Sequence, residues 1–160
     1  MSRRRIGVGM VALALATGGA ATAQAGEWRL GVKASRVDSR IAGADDPTNL
    51  ALVLGREWGI GVGDLALELE VSRTTDSGRV GGADLDVDSE AAYLAFRSAG
   101  PVYLVARLGA AHAERTGRAD VDDSAAGVGL GVSAGLFRLE LEYTDVGDGD
   151  VRFLSFGVWF

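Results

Sequence analysis

The sequence predicts an all-β fold: eight antiparallel strands in up-and-down order, closed into a barrel that crosses a membrane. Three observations carry this prediction. Apolar and polar residues alternate with a period of two in successive segments throughout residues 26–160, and no stretch keeps a helical period. The connections between segments alternate between tight and long, which is the asymmetry of a barrel threaded through a bilayer. The face opposite the apolar one carries cations and anions in equal number, as a narrow polar interior requires.

Taken in order, the first 25 residues read as a cleaved secretory signal peptide. Arg3, Arg4 and Arg5 form a basic start, Ile6 to Ala16 form an apolar run too short to span a bilayer, and Ala23-Gln24-Ala25 offers a small-residue cleavage site. Residues 26–160 form the barrel, with strands expected over 27–38, 48–58, 63–74, 88–99, 101–114, 124–135, 136–146 and 150–160. The clearest runs from Phe137 to Thr144, with Phe137, Leu139, Leu141 and Tyr143 on one face and Arg138, Glu140, Glu142 and Thr144 on the other. Leu65, Leu67, Leu69 and Val71 repeat the pattern against Ala66, Glu68, Glu70 and Ser72, and Trp28, Leu30 and Val32 repeat it against Arg29, Gly31 and Lys33. Tight, glycine-bearing connections fall near 59–62, 99–101 and 135–136. Long, aspartate-rich ones fall near 39–47, 75–87 and 115–123, with a shorter one at 147–149. An even strand count then puts both ends of the barrel segment on the tight-turn side.

Composition narrows the function classes. At 48% hydrophobic and 24% charged, the chain is too apolar for disorder and too charged for a helical membrane bundle. It has no cysteine, which excludes disulfides, thiolate metal sites and a thiol nucleophile. Removing residues 1–25 takes away three of the 16 basic residues and none of the 22 acidic ones, so net charge moves from −6 to −9. Such a chain repels polyanions, and nucleic acid is not a partner. Gly127-Val128-Gly129 resembles a fragment of a dinucleotide loop, but no helix follows it. Those glycines instead make room for long neighbours in a small barrel. Asp84, Asp86, Asp88 and Glu90 alternate like a calcium loop but lack its glycine and its terminal glutamate. No metal site and no cofactor are expected.

The charged face decides which side meets water. Arg29, Lys33, Arg97, Arg107 and Arg138 stand against Glu57, Glu68, Glu70, Glu140 and Glu142, five cations and five anions. We read them as a lumen charge network that fills the barrel and leaves at most a narrow pore. The alternative is a soluble, lipocalin-like binding barrel of the periplasm, with its apolar side inward.

The last ten residues, VRFLSFGVWF, are the most specific local signal. Leu154, Phe156, Val158 and Phe160 share one face, and the chain ends on an aromatic residue. This resembles the terminal strand of Gram-negative outer-membrane barrels. Together with "AAYLAFRSAGPVYLVARLGA" and "FRLELEYTDV", it makes residues 26–160 similar to the small barrel family of OmpA-type and opacity-type proteins. The resemblance implies location in the cell outer membrane after export through the periplasm, and recognition of the C-terminal strand by the barrel-assembly machinery. It also implies contact with membrane lipid and lipopolysaccharide, and a monomeric, non-enzymatic role in envelope integrity or surface contact. The acidic rim formed with Asp120, Asp122, Asp123, Asp145, Asp148 and Asp150 is read as a solvated surface, or as a weak divalent-ion bridge to lipopolysaccharide.

His112 is the sole histidine and the one ordinary general base near neutral pH. Strand parity points it outward near the long-loop rim. A regular hairpin through 115–123 would place Ser124 opposite it, with Glu114 nearby. That set resembles the lipid A deacylases and supplies the enzymatic alternative, a lipid A acyl hydrolase or acyltransferase. Those enzymes carry His-x-Ser on one strand, whereas this chain reads His112-Ala113-Glu114.

Overall fold

The alternation becomes a closed sheet. A computed structural model describes residues 26–117 and 119–160; the signal-peptide reading of residues 1–25 lies outside them. In chain order the strands are β1 (Glu27–Asp38), β2 (Thr48–Gly59), β3 (Gly63–Asp76), β4 (Gly78–Val80), β5 (Ala83–Leu85), β6 (Val87–Ser98), β7 (Val102–Arg115), β8 (Val121–Ala134), β9 (Phe137–Val146) and β10 (Val151–Trp159). Eight of them form an antiparallel barrel in the order β1-β10-β9-β8-β7-β6-β3-β2, and β4 and β5 make a separate hairpin. The seam closes between β1 and β10. There the Phe160 amide donates to the Leu30 carbonyl at 2.9 Å and the Leu30 amide returns the bond at 3.3 Å. A closed ladder leaves no strand edge without a partner, which is what a bilayer demands of a sheet.

Exposure follows residue parity. On β2, Leu50, Leu52 and Leu54 are about half exposed while Asn49, Ala51, Val53 and Glu57 are buried. On β9, Leu139, Leu141 and Tyr143 point out while Glu140 and Glu142 are buried. The outward apolar residues form a continuous belt, running on β1 from Trp28 to Ala34 and on β7 from Val102 to Ala110. These runs, seven residues on β1 and nine on β7, cover ~23–30 Å of tilted strand, approaching the roughly nine to eleven residues of a membrane-crossing strand. The lipocalin-like alternative is overturned, since it needs the charged face outside. The fold is an eight-stranded transmembrane β-barrel.

The tight connections at 60–62, 99–101 and 135–136 fall where the sequence places them, at the end that holds both ends of the barrel segment. Gly135 shows why that turn needs glycine: with φ +67° it occupies the left-handed region. Two long connections differ from expectation. The 75–87 segment carries the β4–β5 hairpin, whose Leu85 is fully buried in the barrel mouth beside Val87. β8 begins at Val121 rather than 124, because Val121 pairs with Ala113 and Asp122 with His112 before the chain turns. Exposed aspartates above the apolar belt remain in water, so their charge does not end a strand there.

The interior is layered. Charged side chains and aromatic rings fill the tight-turn half. Above them lie Ser35, Asn49, Ser72, Ser89 and Ser155, where the Asn49 amide donates to Ser72 Oγ at 2.9 Å and to the Val87 carbonyl at 2.6 Å. At the long-loop end Val37, Leu85, Val87, Val146, Val151 and Phe153 close a dry apolar cluster.

Gly131 illustrates how tightly this space is filled, since a Cβ built there overlaps the ring of Tyr103. Gly131→Ala should therefore lower stability by about 1–3 kcal/mol through overpacking. The urea midpoint of barrel refolded into detergent micelles would measure this, and an unchanged midpoint would show that Tyr103 moves freely.

Candidate functional site: a buried ionic cluster

Strand parity turns all ten charged residues of the opposing face into the barrel, and each of them forms an ion pair there. Seven make one continuous cluster. Arg107 on β7 contacts Glu68 at 3.1 Å, Glu70 at 2.8 Å and Glu142 at 2.9 Å. Lys33 on β1 reaches Glu142 at 2.8 Å and Glu70 at 3.2 Å. Arg97 on β6 meets Glu68 and Glu140 at 2.7 Å each. Lys33, Glu68, Arg97, Arg107, Glu140 and Glu142 are all 3% exposed or less. Arg29, Glu57 and Arg138 form a smaller group nearer the tight-turn end. Arg138 pairs with Glu57 at 2.6 Å and with Asp64 at 3.4 Å, and Arg29 lies 3.7 Å from Glu57.

Glu140 is the most heavily bonded carboxylate. It accepts from Arg97 Nε at 2.7 Å and Nη2 at 3.1 Å, from the Tyr103 hydroxyl at 2.8 Å, and from Trp159 Nε1 at 2.6 Å. Both oxygens are thereby satisfied by donors, the condition under which a buried charge is tolerable. Aromatic faces complete the cluster. The Arg107 guanidinium lies 3.8 Å over the Tyr93 ring centroid, and Arg97 lies 4.7 Å over Trp159. Tyr93, Tyr103, Trp159 and Asn49 are inward residues to which the charge pattern in the sequence does not point. Their parity gives them away: Tyr93 lies an even number of residues from Arg97, Tyr103 from Arg107, and Trp159 opposes the outward Val158 and Phe160.

Between these groups little room remains. A space of about 10 Å³ sits beside Trp159, Arg97, Glu68 and Glu57, about the size needed for one water molecule.

The histidine site resolves differently from its sequence expectation. His112 stands past the end of the apolar belt, opposite Asp122, and Ser124 lies opposite Ala110. His112 Nδ1 is 2.6 Å from Asp122 and Nε2 is 3.5 Å from Glu114. The Ser124 hydroxyl instead donates to Asp123 at 3.2 Å. The structure thus brings together His112, Glu114 and Asp122 and leaves Ser124 out. The register is the reason, since β8 starts three residues early. Among the described residues no cluster of ligating side chains suits a metal ion.

The comparisons with known proteins agree with the architecture. No protein-family model matches the chain, and no curated protein does. Among solved structures, Ail of Yersinia pestis, crystallised with the heparin analogue sucrose octasulfate, superposes with a TM-score of 0.52 at 19% identity, over 84% of this chain and 94% of Ail. Neisserial surface protein A gives 0.51 at 19% identity, over 82% and 95%. A de novo designed transmembrane β-barrel gives 0.50 at 11% identity, over 85% and 94%. These likenesses show the fold: a small transmembrane β-barrel of eight strands.

Two expectations follow. Glu140→Ala removes four bonds to buried donors and should cost about 3–5 kcal/mol, read as the shift of the urea unfolding transition in detergent. Glu140→Gln keeps the shape and should cost less. At the rim, the hydrogen bond to Asp122 raises the His112 pKa above its ordinary 6.5. Its small stabilisation is complete below pH 6.5 and is lost as pH rises through the higher folded value. Asp122→Asn should bring the imidazole titration, followed by NMR, back down.

Proposed function

We propose that this chain is an integral barrel of the bacterial outer membrane, with a closed interior and a structural or surface-contact role rather than an enzymatic one. The observation that carries the reading is the filled lumen. A continuous ionic cluster spans from β1 to β9 and β7, and a layer of Ser35, Asn49, Ser72, Ser89 and Ser155 covers it. An apolar cluster closes the long-loop end, and the space beside Trp159 and Arg97 admits about one water molecule. A solute has no path through such an interior. The outward apolar belt, the C-terminal strand ending in Phe160 and the likeness to outer-membrane barrels support the location. In this reading both ends of residues 26–160 face the periplasm and the aspartate-rich loops face outward, where they meet lipopolysaccharide or a partner surface. The enzymatic alternative loses its nucleophile, because Ser124 bonds Asp123 and not His112.

Phe160 is the proposed assembly signal, with Leu154, Phe156 and Val158 on the same lipid-facing side. Its ring packs edge-on against Phe137 at 5.3 Å, beside the seam that closes the barrel.

Planar-bilayer recording tests the closed lumen: the wild type should show no steady, wide conductance, and one would overturn the reading. Phe160→Ser should reduce heat-modifiable barrel in the membrane fraction and leave unfolded protein in the periplasm. Lipid A from cells carrying the wild type, His112→Ala or an empty vector should give identical mass spectra; an acyl change seen with the wild type alone would restore the enzymatic alternative.

A further inference from the structure

Charge on the outward faces of the eight barrel strands is confined to the long-loop rim, with one exception. At that rim each outward-facing arginine of the barrel strands meets a carboxylate: Arg36 pairs with Asp46 at 2.9 Å, Arg73 with Glu90 at 3.0 Å and Arg152 with Asp145 at 3.1 Å. The exception is Arg56, near the tight-turn end of β2. It faces outward between Leu54 and Trp58, and its cross-strand neighbours are Trp28 and Leu67. Its guanidinium carbon lies 5.6 Å from the ring centroids of both Trp28 and Trp58. Among the described residues no carboxylate pairs with it, and its Nε is buried with no hydrogen-bond partner.

An unpaired cation at the edge of an apolar belt needs an anion from outside the protein. Position identifies that anion. Arg56 lies three residues from the end of its strand, where the belt gives way to the headgroup layer, and indole rings settle at that level. The two rings hold the guanidinium in place, which leaves its remaining N–H groups free to bond the planar edge of a phosphodiester. We propose that Trp28, Arg56 and Trp58 form a binding site for the phosphate of a glycerophospholipid in the leaflet at the tight-turn end of the barrel. The proposal rests on the lipid-facing reading of the belt.

Native mass spectrometry of the barrel, refolded in uncharged detergent, tests it. The probes are dimyristoyl phosphatidylglycerol, the phosphate-free dimyristoylglycerol and inorganic phosphate as a competitor. A heat-dependent gel shift first verifies that each variant is folded. The wild type should take up phosphatidylglycerol in preference to dimyristoylglycerol, and inorganic phosphate should not displace it. Arg56→Gln should weaken that uptake about fivefold, the effect of one cation at a membrane surface, while Arg36→Gln leaves it unchanged. Equal uptake by wild type and Arg56→Gln would overturn the site, as would an equal loss in Arg36→Gln or equal binding of dimyristoylglycerol. Displacement by inorganic phosphate would overturn the lipid as its occupant. A wild type that enters neither micelles nor bilayers would instead break the lipid-facing reading.

Discussion

Eight strands enclose a space that their own side chains must fill, and the outer surface of the same strands meets hydrocarbon. Every charged residue in the belt region, Arg56 apart, must therefore go inward and find its counter-charge within a few ångströms. The cluster around Arg107 meets this constraint by sharing. Glu68 bridges Arg97 and Arg107, Glu142 bridges Arg107 and Lys33, and Glu70 does the same from the other side. The Glu68–Arg97 pair joins the neighbouring strands β3 and β6, while the other pairs reach past an intervening strand, so the cluster ties β1, β3, β7 and β9 together around the lumen. Tyr93 and Trp159 lay their faces against the guanidinium groups, and the absent side chain of Gly131 gives Tyr103 the room it needs.

Most of this architecture was legible in the sequence, because a period of two assigns each residue to one of two sides. The barrel, its tight turns and the inward direction of the ten charged residues all follow from parity along the strands. Parity says nothing about height, however, and the layering of the interior escaped for that reason. Val37, Val151 and Phe153 share the inward side with Lys33, Ser155 and Trp159, yet they form an apolar cluster because they stand at the other end of the barrel. The start of β8 was missed on different grounds. Asp122 and Asp123 read as loop residues, although a strand that projects beyond the membrane carries exposed acids on either side at no desolvation cost. The hairpin hidden in 75–87 left one trace, the apolar pair Leu85 and Val87 within an acidic stretch.

The two rims manage charge by opposite means. At the long-loop end, acids outnumber bases and hold Arg36, Arg73 and Arg152 in local pairs, and His112 likewise finds Asp122 and Glu114 rather than a nucleophile. At the tight-turn end the outward surface is almost wholly apolar and aromatic, with Trp28, Trp58, Phe137 and Phe160 exposed or half-exposed around it. Solvation accounts for the difference. Loops that stand in water tolerate aspartates freely, while turns that sit close to the bilayer do not.

The seam between β1 and β10 has a further consequence for how the molecule comes to exist. Lys33 lies on β1 and Trp159 on β10, so the pairing that closes the cylinder also brings the Lys33 ammonium to Glu142 of β9 and over the Trp159 ring. Before that moment the inner wall is an open, hydrated sheet, which lipid would reject. A partly zipped barrel has no comfortable place in the hydrocarbon. Closure of the seam and dehydration of the inner wall are therefore coupled, and the closed cylinder is the form that suits the hydrocarbon.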